Sequence, residues 1–374
     1  MSMHIVFSGG RTGGHLFPGL AVAEAIRRHD PEATITFAGS GGSLECLHLP
    51  EHGYPLVTLA CRPWSSRAWR WPRFAWDHAQ GFRSACRWLT MHRPDVVVGL
   101  GGWSSVPMVR AAIARKIPLV LLEQNALPGK VTRHFAPHAE RVCAALAECY
   151  AWLNMRADAF RHTGNPVRRQ FAEVVAARRP VLAQPRLLVL GGSGGAADLN
   201  EIVPLSVAKL NGKLDGWQIV HQTGHRDLAG ARARYARAGR WAHVQAFFSN
   251  MPELLASADL VVCRAGGTTL SELAMLGVPA IVVPFPRAAD DHQLRNARVY
   301  ETHGACRMVD FRAHAEPVEA LVGELATLVG DRRARESLSA AMRRMARPQA
   351  AEEVAGIVAQ MAGCLSEPRT SVSG

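Results

Sequence analysis

The sequence predicts an α/β protein built as two doubly wound (Rossmann-like) parallel-sheet domains facing across a cleft. Three observations carry this. Short apolar runs alternate with helical patterns, the alternation restarts near the middle of the chain, and glycine-rich turns follow strands in both halves. A chain of 374 residues is also long for one ordinary core.

The elements follow in order. HIVFS at 4–8 is a β-branched, apolar run ending at glycines. From His15 to about His29, Leu16, Leu20, Ala23 and Ile26 fall on one helical face, with Pro18 in the first turn where proline is tolerated. TITFA at 34–38, PLVTL at 55–59, DVVVGL at 95–100, PLVLL at 118–122 and RVCAA at 141–145 continue the strand series. The pattern restarts with RLLVL at 186–190, WQIVHQ at 217–222, HVQAF at 243–247, DLVVC at 259–263, PAIVVPF at 279–285 and CRMV at 306–309. The expected domains are 1–163 and 164–345, joined through the stretch from Gly164 to Pro185. A helix at about 349–363 is expected to pack back on the first domain, and the polar tail 366–374 is expected to be disordered.

The net charge of +12 favours an anionic partner: nucleic acid, acidic lipid or a phosphorylated substrate. Eight cysteines form no C-x-x-C pair and no cluster at zinc spacing, so they are expected to be reduced, in a cytosolic chain without a metal site. No leader segment is recognisable, and no apolar run reaches the 18 or so residues that would span a bilayer.

Four glycine-rich loops stand between a strand and a helix: GGRTGGH at 9–15, GLGGWSS at 99–105, GGSGGA at 191–196 and RAGGTTLSE at 264–272. Bare backbone lets N–H groups approach a phosphate, and a helix start adds a positive dipole end. A Walker loop is absent, because His15 stands where its lysine should be. Gly192 to Ala197 matches a dinucleotide fingerprint, but the following strand ends HQTGH, without the expected carboxylate. Glu272 suits a pair of ribose hydroxyls or a helix dipole. Asp290, Asp291, His292, Gln293 and Asn296 exceed what one helix cap needs and suit sugar hydroxyls. His15 could contact a phosphate or act as a base. Residues 61–93 hold seven Arg against one Asp, a local charge of +6, and five of the nine tryptophans. That composition suits an anionic bilayer surface, single-stranded nucleic acid or the basic face of a core helix.

Taken in order, GGHLFPGLAVA, GGWSSVP, EQNALPGK, GNPVR, GGSGGA and VVCRAGGTTLSELAMLGVPAIVVPFPRAADDHQLRNA resemble the MurG-type transferases of glycosyltransferase family 28, over about residues 3–365. The resemblance implies the GT-B fold and inverting transfer of N-acetylglucosamine from its UDP donor to the muramic acid 4-hydroxyl of lipid I, giving lipid II, with no cofactor or tightly bound metal. It implies that Arg168 and Ser193 face the donor diphosphate, that the backbone at Phe248 meets the uracil, that Glu272 takes the ribose, and that His292 and Gln293 take the sugar. His15 is the candidate base, with Thr12, Gly13, Gly14 and Asn125 on the acceptor side. Trp64, Trp69, Trp71, Phe74 and Trp76 match the family's membrane-association surface, on the cytoplasmic face of the bacterial inner membrane, where cell-wall synthesis proteins are candidate partners. The chain departs from the family at Arg11, an extra residue between the glycine pairs, at Gly194 for the usual Gln, at Trp103 for Tyr and at Thr132 for Asn.

A transferase with another lipid acceptor, such as a diacylglycerol, would share the donor motifs but not the GGWSSVP and EQN matches. A UDP-sugar epimerase would need no membrane surface. A nucleic-acid binder would leave the glycine loops without a use, so no nucleic-acid partner is expected.

Overall fold

The computed structural model describes residues 2–63, 69, 71–177, 184–192, 194–210 and 212–363. Trp64, Ser193 and the tail 366–374 lie outside the described residues. The chain divides into two units, one running to Arg168 and resuming at Gln349, the other running from Arg169 to Pro348. The division thus falls after Arg168 rather than after residue 163, which leaves the GNPVR segment with the first unit.

In the first unit the order is β1 (His4–Ser8), α1 (Gly13–His29), β2 (Thr34–Gly39), α2 (Ser43–Glu51), β3 (Leu56–Thr58), α3 (Trp71–His92), β4 (Val96–Gly99), α4 (Val106–Ala114), β5 (Leu119–Glu123), α5 (Lys130–Phe135), β6 (Arg141–Ala144) and β7 (Phe160–His162). The second unit runs α6 (Arg169–Ala176), β8 (Arg186–Leu190), α7 (Ala197–Lys209), β9 (Gln218–Gln222), α8 (Leu228–Arg237), β10 (His243–Gln245), α9 (Met251–Ala256) and β11 (Leu260–Cys263). It continues through α10 (Gly267–Leu276), β12 (Ala280–Val282), α11 (His292–Thr302), β13 (Arg307–Met308), α12 (Pro317–Gly330) and α13 (Arg332–Arg344). The last helix, α14 (Ala350–Gly363), returns to the first unit.

Among the described residues, seven strands form one sheet in the order β3-β2-β1-β4-β5-β6-β7, and six form the other in the order β10-β9-β8-β11-β12-β13. The paired strands of both sheets run parallel. Helices cover both faces of such sheets, so the central strands are continuous apolar runs: Ile5, Val6 and Phe7 in β1 and Leu187, Leu188 and Val189 in β8 are fully buried. The short strand β7 was not anticipated. Its sequence FRH at a sheet edge carries too little apolar character to stand out. α1 begins at Gly13 rather than His15, because Thr12 already accepts the first helical N–H bonds from His15 and Leu16.

α14 lays Val354, Ala355, Val358 and Ala362 into the core that holds Leu16, Leu20 and Ile26 of α1. Glu352 anchors its start by an ion pair with Arg28 and by His29 Nε2 at 2.7 Å. The seven described cysteines are unpaired, four of them buried. Leu20→Ala should destabilise the first unit by about 2–5 kcal/mol, the range for emptying a buried leucine site. Urea unfolding followed by circular dichroism checks it, and a loss below that range would mean that α14 closes over the vacancy.

Candidate active site

In an open parallel sheet, ligands bind beyond the carboxyl ends of the strands where the strand order reverses. That point lies between β1 and β4 in the first sheet and between β8 and β11 in the second. The loops that follow those four strands are the four glycine-rich loops. Each unit therefore gathers two of them at its own switch point.

In the first unit the chain leaves β1 through Gly9 and Gly10, at φ +113° and +121°. A Cβ on Gly9 would stand 2.8 Å from the Gly101 carbonyl oxygen, so this loop and the one after β4 meet backbone to backbone. α1 opens with Gly13 and Gly14, carries no acid in its first turn, and no described side chain caps it. Such a helix start presents backbone N–H groups and the positive end of the dipole. The inserted Arg11 is exposed, with its stem beside Gly42.

The Thr12 hydroxyl lies 2.8 Å from His15 Nδ1. The His15 ring lies against Gly101, whose Cβ position is 3.2 Å from Nε2. With Nδ1–H donating to Thr12, Nε2 keeps its lone pair and can take a proton. Asn125 follows β5 and is held by Glu123, a buried residue that the sequence reading passed over. One Glu123 oxygen accepts the Asn125 backbone and side-chain N–H groups, both at 3.0 Å, and the other accepts the Gly129 N–H at 2.9 Å. A carboxylate closing an apolar strand was the available signal. Arg168 places its guanidinium over the Phe17 ring at 4.3 Å, within the first unit.

In the second unit a Cβ on Gly195 would stand 2.3 Å from the Thr223 carbonyl oxygen, which fixes the loop after β8 against the turn after β9. A side chain at Gly194 would meet nothing within 4 Å. A buried network supports these turns: His221 Nε2 lies 3.1 Å from Asn200 Oδ1, and Asn200 Nδ2 donates to the Thr223 carbonyl at 3.1 Å. On the ring's other side, Nδ1 lies 3.0 Å from the Tyr235 hydroxyl. Burial pushes the His221 pKa down to about 3, against a small opposing pull from Asp227.

Arg264 follows β11 and is buried. It donates to the carbonyls of Val283 at 3.2 Å and Pro284 at 3.1 Å and pairs with Asp198 in the first turn of α7. Gln222 is the other unforeseen brace: its Oε1 accepts the Phe248 N–H at 3.1 Å, and its Nε2 donates to Gly192 at 3.4 Å. Of the Phe248 backbone, the carbonyl is what remains for a ligand. Glu272 sits in α10 at 7 % exposure.

The polar cluster after β12 separates into different jobs. Asn296 does not face a sugar; it is fully buried and donates to the Ala265 carbonyl at 3.1 Å, holding the loop after β11. Gln293 Oε1 accepts the Phe285 N–H at 2.9 Å. Asp290 and Asp291 adopt left-handed φ of 51° and 56°, and no described side chain caps α11, where His292 is the first residue. Asp291 instead pairs with Arg312 at 2.8 Å. Aspartate tolerates this region better than most residues, and Arg93 and Lys116 adopt it as well.

On the surface, α3 turns His78, Gly81, Ala85 and Leu89 inward. Trp69, Trp71 and Trp76 are 71 %, 46 % and 60 % exposed, with Arg73, Arg83 and Arg87 also outward. Phe74 does not join them; its ring packs on His78 at 4.2 Å and edge-on to Trp103 at 5.7 Å. Among the described residues no helix is long and apolar enough to cross a membrane, and no group of three His, Cys, Asp or Glu side chains could hold a metal ion.

Comparison with known proteins places this geometry. Residues 5–144 match the glycosyltransferase family 28 N-terminal domain, and residues 186–354 match the family's C-terminal domain. A relative from Geobacter sulfurreducens is 39 % identical over 320 residues, covering 81 % of this chain and 84 % of its own. Another, from Anaeromyxobacter sp. (strain K), is 36 % identical over 367 residues, covering 96 % and 93 %. Both are named UDP-N-acetylglucosamine–N-acetylmuramyl-(pentapeptide) pyrophosphoryl-undecaprenol N-acetylglucosamine transferase. The crystal structure of Acinetobacter baumannii MurG is similar at a TM-score of 0.75 and 27 % identity, over 96 % of this chain and 99 % of that one. A UDP-GlcNAc 2-epimerase from Neisseria meningitidis, at 13 % identity and a TM-score of 0.69, covering 96 % and 100 %, shares the fold alone.

The buried His221 gives a pH test. It stays neutral when folded but takes a proton below pH 6.5 when unfolded, so its contribution is whole above 6.5 and falls as pH drops towards 3. At pH 5 the loss from this one group is about 2 kcal/mol. Urea midpoints at pH 7.5 and pH 5 should show a smaller drop in His221→Gln than in the wild type. Equal drops would mean that the ring charges in place.

Proposed function

The chain belongs to glycosyltransferase family 28, and from that premise we propose how it moves N-acetylglucosamine from its UDP donor to the muramyl pyrophosphoryl-undecaprenol acceptor, a step of peptidoglycan synthesis. The observation that carries the reading is the gathering of two glycine loops at the switch point of each unit.

The second unit takes the donor. Backbone N–H groups of the loop after β8 face its diphosphate, and the family resemblance assigns Ser193 to the same group. The Phe248 carbonyl meets the uracil, Glu272 the ribose, and His292 with Gln293 the sugar. The first unit takes the acceptor, with its diphosphate over Gly13 and Gly14 at the start of α1 and Arg168 close to Phe17. The family resemblance assigns Arg168 to the donor diphosphate. His15 Nε2 takes the proton of the muramic acid 4-hydroxyl as that oxygen bonds to the anomeric carbon. The bond from that carbon to the donor phosphate breaks, its electron pair leaves with UDP, and the anomeric centre inverts. Fixed N–H dipoles stabilise the departing charge without rearranging. Asn125, held by Glu123, orients the acceptor. The reaction uses no resident metal.

The exposed tryptophans of α3, among outward arginines, dock the enzyme on the cytoplasmic face of an anionic bilayer. Cell-wall synthesis proteins at that surface are its candidate partners.

Labelled N-acetylglucosamine should pass from UDP-N-acetylglucosamine to a short-chain lipid I analogue, with or without EDTA. His15→Ala should lower kcat by about 10²–10⁴ while leaving the KM for the donor nearly unchanged. Thr12→Val should lower kcat less, because it frees the tautomer without removing the base. A His15→Ala enzyme with wild-type kcat would remove the histidine from the chemistry. Replacing Trp69 and Trp76 by serine should weaken sedimentation with phosphatidylglycerol vesicles while transfer to a water-soluble acceptor persists; unchanged sedimentation would move the membrane surface elsewhere.

A further inference from the structure

In the second unit the ends of β8, β9 and β10 lie side by side. Gln222 closes the middle strand, in register with Leu190 of β8 and Gln245 of β10. The loops after β8 and β10 are the two that take the donor's diphosphate and its uracil. Gln222 is buried and bonds to both of them. Its backbone carbonyl accepts the Gly191 N–H at 3.2 Å. Its side-chain Oε1 accepts the Phe248 N–H at 3.1 Å, and its Nε2 donates to the Gly192 carbonyl at 3.4 Å.

The partners fix which end of the amide is which. An N–H at Phe248 needs an acceptor, and a carbonyl at Gly192 needs a donor. Leucine supplies neither, and asparagine is one methylene shorter. The Gly192 carbonyl also accepts the Gly195 N–H at 3.1 Å, which closes the turn from 192 to 195. A carbonyl committed to two donors does not swing out towards a diphosphate, which it would repel. The bond at 3.4 Å is longer than the usual N–H···O length of about 2.9–3.0 Å. It is the slack link in the chain from Phe248 to Gly192, and the one that can tighten.

We infer that Gln222 couples recognition of the donor's base to the shape of the diphosphate loop. The inference rests on the donor reading of the second unit and deepens it. A base that bonds the Phe248 carbonyl fixes that residue. The fixed Phe248 N–H holds Oε1, and the amide then holds the Gly192 carbonyl inward. The right base therefore improves the grip on the phosphates besides adding its own bond. Uracil in a nucleoside has one N–H, at N3, to give a carbonyl; cytosine has a lone pair at that position. Gln222 is a positioning residue, acting through Phe248 and Gly192.

Calorimetric titration of the full chain with uridine, UDP, cytidine and CDP tests it without any transfer. Each pair of ligands gives the gain in affinity that the two phosphates add on one base. In the wild type that gain should be about tenfold larger on uracil than on cytosine, the size of coupling between groups in one hydrogen-bonded network. Gln222→Leu and Gln222→Met should bring the two gains level. A merely structural glutamine would lower all four affinities and keep the difference between the bases. Equal gains in the wild type would overturn the inference, and so would folded variants that keep the difference. An enzyme that shows the difference but transfers no N-acetylglucosamine would sink the transferase reading and leave the coupling standing. Transfer with equal gains would do the reverse.

Discussion

The structure depends on backbone meeting backbone in each unit. Where β1 and β4 diverge, the Gly9 turn rests on the Gly101 carbonyl; in the second sheet the loop after β8 rests, at Gly195, on the Thr223 carbonyl after the adjacent β9. A single methyl group at either place would run into a backbone carbonyl oxygen of the neighbouring turn. Glycine there is a requirement of close approach, and its consequence is a cluster of N–H groups with no side chain in the way. Each sheet sets a pair of glycine loops at its switch point, and the proposed reaction between two diphosphate-bearing substrates uses one pair for each.

Loops of bare backbone do not hold their shape unaided, and the polar residues behind them supply what the glycines lack. Glu123 ties the loop that carries Asn125. Asn296 and Arg264 tie the loop after β11, and Asn200 with His221 ties the turn beneath Gly195. Each is buried and hydrogen-bonded, so removing one leaves its partner without water to replace it. Preorganised dipoles act on developing charge because they do not have to turn to meet it. On the proposed reading, the buried shell keeps those dipoles in place.

Much of this was legible in the sequence, for a physical reason. Strands buried on both faces must be apolar throughout, and turns that approach a ligand must be glycine, so β1, β4, β8, β11 and their loops stand out by composition. The three-residue β7 did not, because an edge strand needs little apolar character. Residue roles were legible only as far as type decides them. Asn296 reads as a sugar ligand by its amide, yet the fold turns it inward to a carbonyl. Phe74 reads as a membrane anchor by its ring, yet one turn of α3 directs it onto Trp103. Gln222 and Arg264 take partners 19 or more residues away, which no local pattern encodes, whereas Glu123 bonds within its own loop and shows only as a carboxylate closing an apolar strand. The division between units also fell later than composition implied, since Arg168 stacks on Phe17, a contact that no local pattern encodes.

Hydrogen–deuterium exchange with and without saturating UDP-N-acetylglucosamine tests the division of labour most directly. The account predicts slowed exchange at the loop after β8, at the start of α10 and near Phe248, with the turn from Gly9 to Thr12 unchanged. Slowing confined to the Gly9–Thr12 and Gly101–Trp103 turns would place the donor in the first unit and contradict the account.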